Sequence, residues 1–334
     1  MIITGNEIIY PKDVNRSRGG TELLGERLFE TFGASGIFND FQIVLSRANP
    51  KDLDESKIRI LWLHDLPRDP ASDALLNNGG HEKFHKIVFV SNWQMQNYIG
   101  AYNIPWSKCI VIANSIVPIE DHKKPDSEKL KFIYTSTPHR GLEILVPVFK
   151  KLAEKYDNIE LDVYSSFKLY GWDEQDKRFE KLYDECRNHD KINYHGSVLN
   201  DQIREALKEA HIFAYPSIWQ ETSCLCLIEA MSAGCLCVHS NLGALYETAS
   251  NWTFMYHIHE DNNAHAQILY SALEAAINNY NEEVIQNQLL MQKTYIKAFN
   301  SWEQKQNLWK AMLEDLKENI KDCSFPKPYF HYKV

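Results

Sequence analysis

Two acidic residues stand eight positions apart, Glu221 and Glu229, inside the segment YPSIWQETSCLCLIEAMSAGCLCV that runs from Tyr215 to Val238. The pattern reads as a strand ending near Tyr215, a loop, a helix from Ser223, and a stop at Gly234, a residue type suited to a helix C-terminus. The amides of Thr222, Ser223, Cys224 and Leu225 would then point out of a helix N-terminus, which is a ready anion site. Eight residues of helix rise about 12 Å, and helical side chains lean back toward the N-terminus, which shortens that span. A diphosphate on those amides would have one carboxylate on either side. Each carboxylate can accept hydrogen bonds from a vicinal diol. Two diols flanking a diphosphate describe a nucleotide-sugar.

The elements that must position these residues follow from apolar periodicity. Strands are expected at Ile58–Leu63, Lys86–Val90, Cys109–Ile112, Lys131–Tyr134, Ile159–Tyr164, Ile192–Tyr194, His211–Tyr215 and Cys235–His239. Helices are expected at Thr21–Phe32, Leu142–Tyr156, Asp201–Ala210 and Ser223–Ala233. Short strands, apolar on both faces and alternating with helices, make a parallel sheet in an α/β protein. At 334 residues the chain suits two domains. A polar, Pro-containing stretch (VPIEDHKKPDSEK, 117–129) reads as the linker. The expected division is therefore 1–117 and 118–300, each doubly wound. Residues 301–334 form a third piece: an amphipathic helix, with Trp302, Leu308, Trp309, Met312, Leu313 and Leu316 on one face, expected to pack back on the first domain.

With the motif and its frame in place, the chain resembles the retaining glycosyltransferases of family four, which have the GT-B fold of two Rossmann-like domains facing across a cleft. E-x7-E after a Pro-Ser strand end, then E-A-M-S-A-G and an apolar strand, carries the resemblance. It implies that Glu221 contacts sugar hydroxyls and Glu229 ribose hydroxyls. The run Thr135-Ser136-Thr137-Pro138-His139-Arg140-Gly141-Leu142 resembles the family's donor-phosphate loop, with Arg140 as the basic residue before Gly. A guanidinium can grip phosphate oxygens in bidentate fashion. The family's second basic residue, five positions earlier, is Thr135 here, and His139 is a candidate substitute. Tyr194-His195-Gly196-Ser197-Val198 resembles the loop whose backbone meets the base, near Val198. Gly19-Gly20-Thr21-Glu22 resembles the first strand-to-helix turn, next to donor phosphates and acceptor. His64 matches the family's histidine near the anomeric carbon.

The resemblance implies a metal-independent, retaining transfer of a hexose from a UDP-, GDP- or ADP-linked donor to a hydroxyl of a glycan or glycoconjugate. Glu221, His64 and Arg140 would be its catalytic residues. The donor would be held by Gly19, Gly20, Arg140, Val198, Glu221, Thr222, Ser223, Cys224, Leu225 and Glu229. A nucleotide-sugar epimerase or hydrolase on the same scaffold, and a non-catalytic nucleotide-sugar binder, are the alternatives.

Composition removes other classes. Net charge is −9, with 12 Lys/Arg against 13 Asp/Glu in residues 1–115 and 24 against 32 beyond. No basic block suits a nucleic acid, and membrane contact is expected to be peripheral at most. Seven cysteines and no basic-then-apolar start fit a reducing, cytoplasmic setting. No G-x-G-x-x-G with an acidic residue about 20 positions on supports a dehydrogenase. Three motifs are expected to be decoys. His81-Glu82-Lys83-Phe84-His85 matches H-E-x-x-H but has little room for a helix. Cys224-x-Cys226 and Cys235-x-Cys237 read as small buried hydrophobes, the first pair not sharing a helix face. Asp52-Leu53-Asp54 reads as a solvated loop.

Overall fold

In a computed structural model, which describes residues 1–10 and 19–319, the chain divides into two compact units. The first comprises the N-terminal strands, Thr21–Ala113 and the chain from Lys305 on; the second is Asn114–Gln304 together with Gly19 and Gly20.

The first unit carries β1 (Ile2–Thr4), β2 (Glu7–Ile9), β3 (Phe41–Leu45), β4 (Ile58–Leu63), β5 (Lys86–Phe89) and β6 (Cys109–Val111), in spatial order β2-β1-β3-β4-β5-β6. From β3 to β6 the sheet is parallel; β1 runs antiparallel to both β2 and β3. Every side chain of β3 is buried, as are all but Arg59 in β4, the continuous apolar pattern a sheet covered on both faces requires. A helix, Gly20–Phe32, turns Leu24 and Leu28 inward.

The second unit is all parallel. Its strands are β7 (Leu130–Thr135), β8 (Ile159–Tyr164), β9 (Ile192–Tyr194), β10 (Ile212–Tyr215), β11 (Leu236–Ser240) and β12 (Phe254–Tyr256), in the order β12-β11-β10-β7-β8-β9. The central strands β7, β10 and β11 are apolar on both faces and almost wholly buried. Helix Leu142–Lys155 lays Ile144, Leu145, Val148, Phe149 and Leu152 into the core, and helix Leu225–Ser232 adds Leu227, Ile228 and Met231. Both units are Rossmann-like, as the sequence pattern implied.

Two features depart from the sequence expectations. The polar stretch 117–129 is no free linker, and the division falls at Ala113/Asn114 rather than at 117. The reason is packing: Ile116 and Ile119 are buried in the second core, the Ile119 amide donates to Ser232 Oγ at 2.9 Å, and Lys124 Nζ donates to the carbonyls of Leu207 and Ala210. The C-terminal helix, Trp302–Asn319, belongs to both units. Its first residue is tied into the second, where the Trp302 amide donates to the Ile116 carbonyl at 2.8 Å. Trp309, fully buried, sits edge-on against Trp62 of β4 at 4.6 Å. Residues 320–334 of this segment lie outside the described residues.

Burial has one electrostatic consequence for the fold. His239 in β11 is wholly buried, and its imidazole is pushed down to about 4 by desolvation. The neutral ring is satisfied on both sides: Nδ1–H donates to the Ser240 carbonyl at 2.7 Å and Nε2 accepts from Thr253 Oγ1 at 2.8 Å. Its folded pKa lies below the unfolded value, so the unfolded chain binds more protons between those pH values and stability falls as pH falls through that window. The expected loss from His239 alone is about 2 kcal/mol between pH 7 and pH 5. Urea unfolding at both pH values should show a shallower pH dependence in His239→Gln; parallel dependences in the two proteins would refute the assignment.

Candidate functional site

In an open α/β sheet, ligands bind beyond the carboxyl ends of the strands where the strand order reverses. In the second unit the reversal falls between β7 and β10, with β8 and β9 on one side and β11 and β12 on the other. The loops leaving those two strands are 136–141 and 216–224, the segments that hold Arg140 and Glu221.

Glycines bring the two loops together. Gly141 has φ +108°, and a Cβ there would lie 2.1 Å from the Pro216 carbonyl oxygen. Only a residue without a side chain lets the backbones approach so closely. Glu221 is held from the other side: it forms a parallel bridge with Gly243, and the Ala244 amide donates to its carbonyl at 2.7 Å. Gly243, at φ +66°, leaves no room for a Cβ, which would stand 2.5 Å from the Glu221 amide and carbonyl.

The Glu221 carboxylate, 5% exposed, meets the Arg140 guanidinium in a short ion pair and accepts from Tyr215 Oη at 2.6 Å. Burial opposes the charge on Arg140, but Glu221 and the phenols of Tyr215 and Tyr170 together more than offset it, so the guanidinium is held charged well above its ordinary range. Burial, and then Glu221, drive the Tyr215 phenol well upward, so it acts as a neutral donor. Beside Arg140, in the loop and strand end that lead to it, several buried polar atoms have no partner among the described residues: Thr135 Oγ1, Thr137 Oγ1, His139 Nδ1 and Arg140 Nε. Buried polar groups are nearly always paired, so such a concentration suits a polar ligand. His139 brings no charge to it. Burial and Arg140 push its imidazole down to about 4, and the ring stacks on Phe167 at 5.2 Å with Trp219 edge-on at 5.1 Å.

Glu229 is also buried. Asn200 Nδ2 spans both of its carboxylate oxygens at 3.2 and 3.3 Å, and Arg204 Nη1 lies 3.4 Å from Oε1. The helix between the two acids is shorter than expected. It runs from Leu225 to Ser232 with Cys224 as N-cap, rather than starting at Ser223. The bridge at Glu221 and the extended conformation of Cys224 (φ −127°, ψ 96°) keep the chain out of helix until Leu225. The amides of Thr222 and Ser223 therefore belong to a loop, and Glu229 lies just over one turn into the helix. The extended N-cap also brings Cys224 Sγ within 3.3 Å of Cys226 Sγ, correcting the expectation that the two face apart.

The other expected residues are placed as follows. Thr135 ends β7, with Arg140 five residues on in a single 3-10 turn, Pro138–Arg140. Val198 is half-buried in the loop after β9, where Gly196 takes φ +67° and His195 stacks on Tyr164 at 4.3 Å. His64 follows β4 in the first unit; its amide donates to Ser46 Oγ at 2.7 Å, and desolvation pushes its imidazole down to about 4, so the ring is neutral. Gly19 is buried and Gly20 opens the helix Gly20–Phe32. The H-E-x-x-H residues are not on an α-helix: His81 lies in a 3-10 stretch with Asn78 and Gly79 at positive φ, and His85 Nδ1 accepts from the Arg59 amide. Asp52 closes a 3-10 turn, and Asp54 accepts from Ser56.

The sequence reading passed over Tyr215, Asn200, Arg204 and Gly243. The Asn200/Arg204 spacing of four marks one helix face, but nothing in the pattern says that this face meets Glu229.

This architecture is that of the two-domain GT-B glycosyltransferases. Residues 118–291 match the family described as "Glycosyl transferases group 1", and the chain belongs to that family. It is 21% identical over 222 residues to the phosphatidylinositol N-acetylglucosaminyltransferase gpi3 subunit of Schizosaccharomyces pombe (65% of this chain, 45% of that protein). To the GPI3 subunit of the same enzyme in Saccharomyces cerevisiae it is 22% identical over 183 residues (51% and 39%). The chain thus spans less than half the length of these curated relatives. Among solved structures it is similar to a glycosyltransferase from Rickettsia africae (TM-score 0.64, 15% identity, 91% of this chain and 84% of that one). It is also similar to an Anabaena protein in complex with UDP-glucose (TM-score 0.63, 14% identity, 90% and 85%). No helix among the described residues is long and apolar enough to cross a membrane.

The glycine clamps are open to test. Gly141→Ala and Gly243→Ala should each lower unfolding stability by about 2 kcal/mol or more, through positive φ and backbone overlap. Gly100→Ala, in a helix with nothing within 4 Å of the new Cβ, should be neutral or raise stability by about 0.5 kcal/mol. Equal melting temperatures for all three variants would remove the clamp.

Proposed function

We propose that the chain is a retaining glycosyltransferase that moves a hexose from a nucleotide diphosphate sugar to a hydroxyl of a glycan or glycoconjugate, without a metal ion. The observation that carries this reading is the meeting of Arg140 and Glu221 at the strand-order reversal, amid unpartnered buried polar atoms, with a second carboxylate, Glu229, one helix turn on.

In this reading the diphosphate lies over the amides at the start of helix Leu225–Ser232, where the helix terminus favours negative charge. Cys224 and Leu225 stand at that terminus, with Thr222 and Ser223 in the loop before it. Arg140 turns its guanidinium to the phosphate oxygens and so stabilises the charge that develops as the sugar–phosphate bond breaks. Glu221 then accepts from the sugar hydroxyls, with Tyr215 holding its second contact. Glu229 accepts from the ribose diol. The backbone near Val198 meets the base, and Gly19 and Gly20, of the second unit, lie beside the donor phosphates. His64, in the first unit, keeps the catalytic role that the resemblance implies, with a neutral imidazole. The bond from the anomeric carbon to the phosphate oxygen breaks, the acceptor oxygen bonds to the same face, and the leaving phosphate takes the acceptor's proton. Retention follows from attack on the face the leaving group vacates.

A structural neighbour in complex with UDP-glucose makes UDP-linked donors the first to assay, with GDP- and ADP-linked donors beside them. A cytoplasmic setting belongs to the same reading.

Two measurements test the reading. In calorimetry with the nucleoside diphosphate that binds, Glu229→Ala should weaken affinity roughly 10–150-fold, the worth of a hydrogen bond to a charged group. Glu221→Ala should impair transfer more than it impairs that binding; the opposite ranking would exchange or dissolve the two roles. Transfer should also persist in EDTA and give a product with the donor's anomeric configuration by NMR. Inversion, or abolition by chelator, would overturn the mechanism.

A further inference from the structure

Donors outside its own helix hold the Glu229 carboxylate: among the described residues, Asn200 and Arg204, at the first and fifth positions of helix Asn200–Glu209, which connects β9 to β10. Residues four apart share a helix face. The Asn200 amide bridges Oε1 and Oε2, and the contact of Arg204 to Oε1 alone breaks that symmetry, so the two together constrain the carboxylate plane. Arg204 adds a charged contact to Oε1 at 3.4 Å and is itself anchored: its Nη2 donates to the carbonyl of Val117 at 2.9 Å and lies 3.4 Å from that of Pro118. Both partners are largely buried, with 19% of the Arg204 side chain and 10% of that of Glu229 exposed. The strap entering the second unit, the crossover helix and the helix bearing Glu229 therefore converge on one carboxylate.

An ionised carboxylate offers about four acceptor positions. Asn200 and Arg204 engage the side of the carboxylate that faces the crossover helix, and by fixing its plane they set the directions in which its other acceptor positions point. We infer that Asn200 and Arg204 are positioning residues that aim Glu229 at the ribose 2′,3′-diol, so that they determine how strongly the protein prefers a ribonucleotide to one lacking those hydroxyls. This rests on the proposed role of Glu229 as the ribose contact. It deepens that role by naming what makes the carboxylate selective.

Binding of UDP, GDP and ADP, and of their 2′,3′-dideoxy counterparts, is measured by calorimetry on the full chain and on Arg204→Met, Arg204→Lys and Asn200→Ala. Wild-type protein should bind its preferred ribonucleotide at least about tenfold more tightly than the dideoxy form, the lower bound for hydrogen bonds to a charged acceptor. Arg204→Met should reduce that preference about tenfold, chiefly by weakening the ribonucleotide, with dideoxy affinity within about twofold of wild type. Arg204→Lys should restore part of the preference, because charge returns without the guanidinium's fixed fork. Asn200→Ala leaves the strap contacts of Arg204 in place and should move the preference in the same direction, which keeps the inference open to test if Arg204→Met fails to fold. If Arg204→Met weakens both nucleotides equally, and inorganic pyrophosphate with them, Arg204 is a phosphate ligand and the positioning role is overturned. That role is equally overturned if Asn200→Ala leaves the preference unchanged. If wild-type protein does not distinguish ribo from dideoxy forms, the ribose role of Glu229 itself fails, a result separable from the other two.

Discussion

The buried pair of Arg140 and Glu221 is the contact on which the second unit's candidate site depends. Two loops from different strands must converge for it to form, and the backbone has given up side chains to let them: Gly141 lies under the Pro216 carbonyl and Gly243 against the Glu221 backbone. A buried ion pair is weak evidence for stability, since desolvating both charges costs about as much as their attraction returns. Nor does the core need this one, for it is already supplied by β7, β10, β11 and the helices that cover them. Under the proposed function the pair makes sense as stored binding capacity. A guanidinium and a carboxylate hold each other in place until a ligand with phosphates and hydroxyls offers each a better partner.

Charge balance gives that idea content. Among the described residues, Arg140 and Arg204 each contact one carboxylate of the site, Glu221 and Glu229 respectively. His139 is neutral because it is buried beside Arg140 and stacked on Phe167. Thr135 supplies a hydroxyl where the resembling family has a second base. The four side chains of Arg140, Arg204, Glu221 and Glu229 together bring no net charge to a diphosphate. Under the proposed function, the amides at the start of helix Leu225–Ser232 and the freeing of Arg140 when Glu221 turns to the sugar add attraction for the anion. Such a site would recognise the phosphate and sugar halves of a donor together better than either alone.

Much of this was legible in the sequence. The apolar runs at Ile58–Leu63, Ile159–Tyr164 and Ile192–Tyr194 are strands with those bounds, and the run E-x7-E does flank a helix start. What was not legible has physical causes. Strands β1 and β2 have three residues each, too short for a period to show, and β1 pairs antiparallel where parallel alternation was expected. The strap 117–129 reads as a linker because it is charged and carries prolines. It is nonetheless seated through Ile116, Ile119 and Lys124, and a few anchors in a polar segment leave no periodicity. The two-residue delay in the start of helix Leu225–Ser232 comes from a bridge to Gly243, a residue more than twenty positions downstream.

Arg204 shows the same limit at the site itself. Its spacing from Asn200 declares a shared helix face, but which of the helix's neighbours that face meets is decided by strand order. The crossover from β9 to β10 must traverse the sheet, because β9 is an edge strand and β10 lies beyond β7 and β8. That traverse carries the helix Asn200–Glu209 alongside helix Leu225–Ser232, where its polar face meets the one buried acid on that helix. Had the strand order not reversed at β7, no crossover would pass there, and Glu229 would lack the contacts from Asn200 and Arg204. The topology that opens a crevice for a ligand thus also delivers the groups that orient one of the crevice's acids.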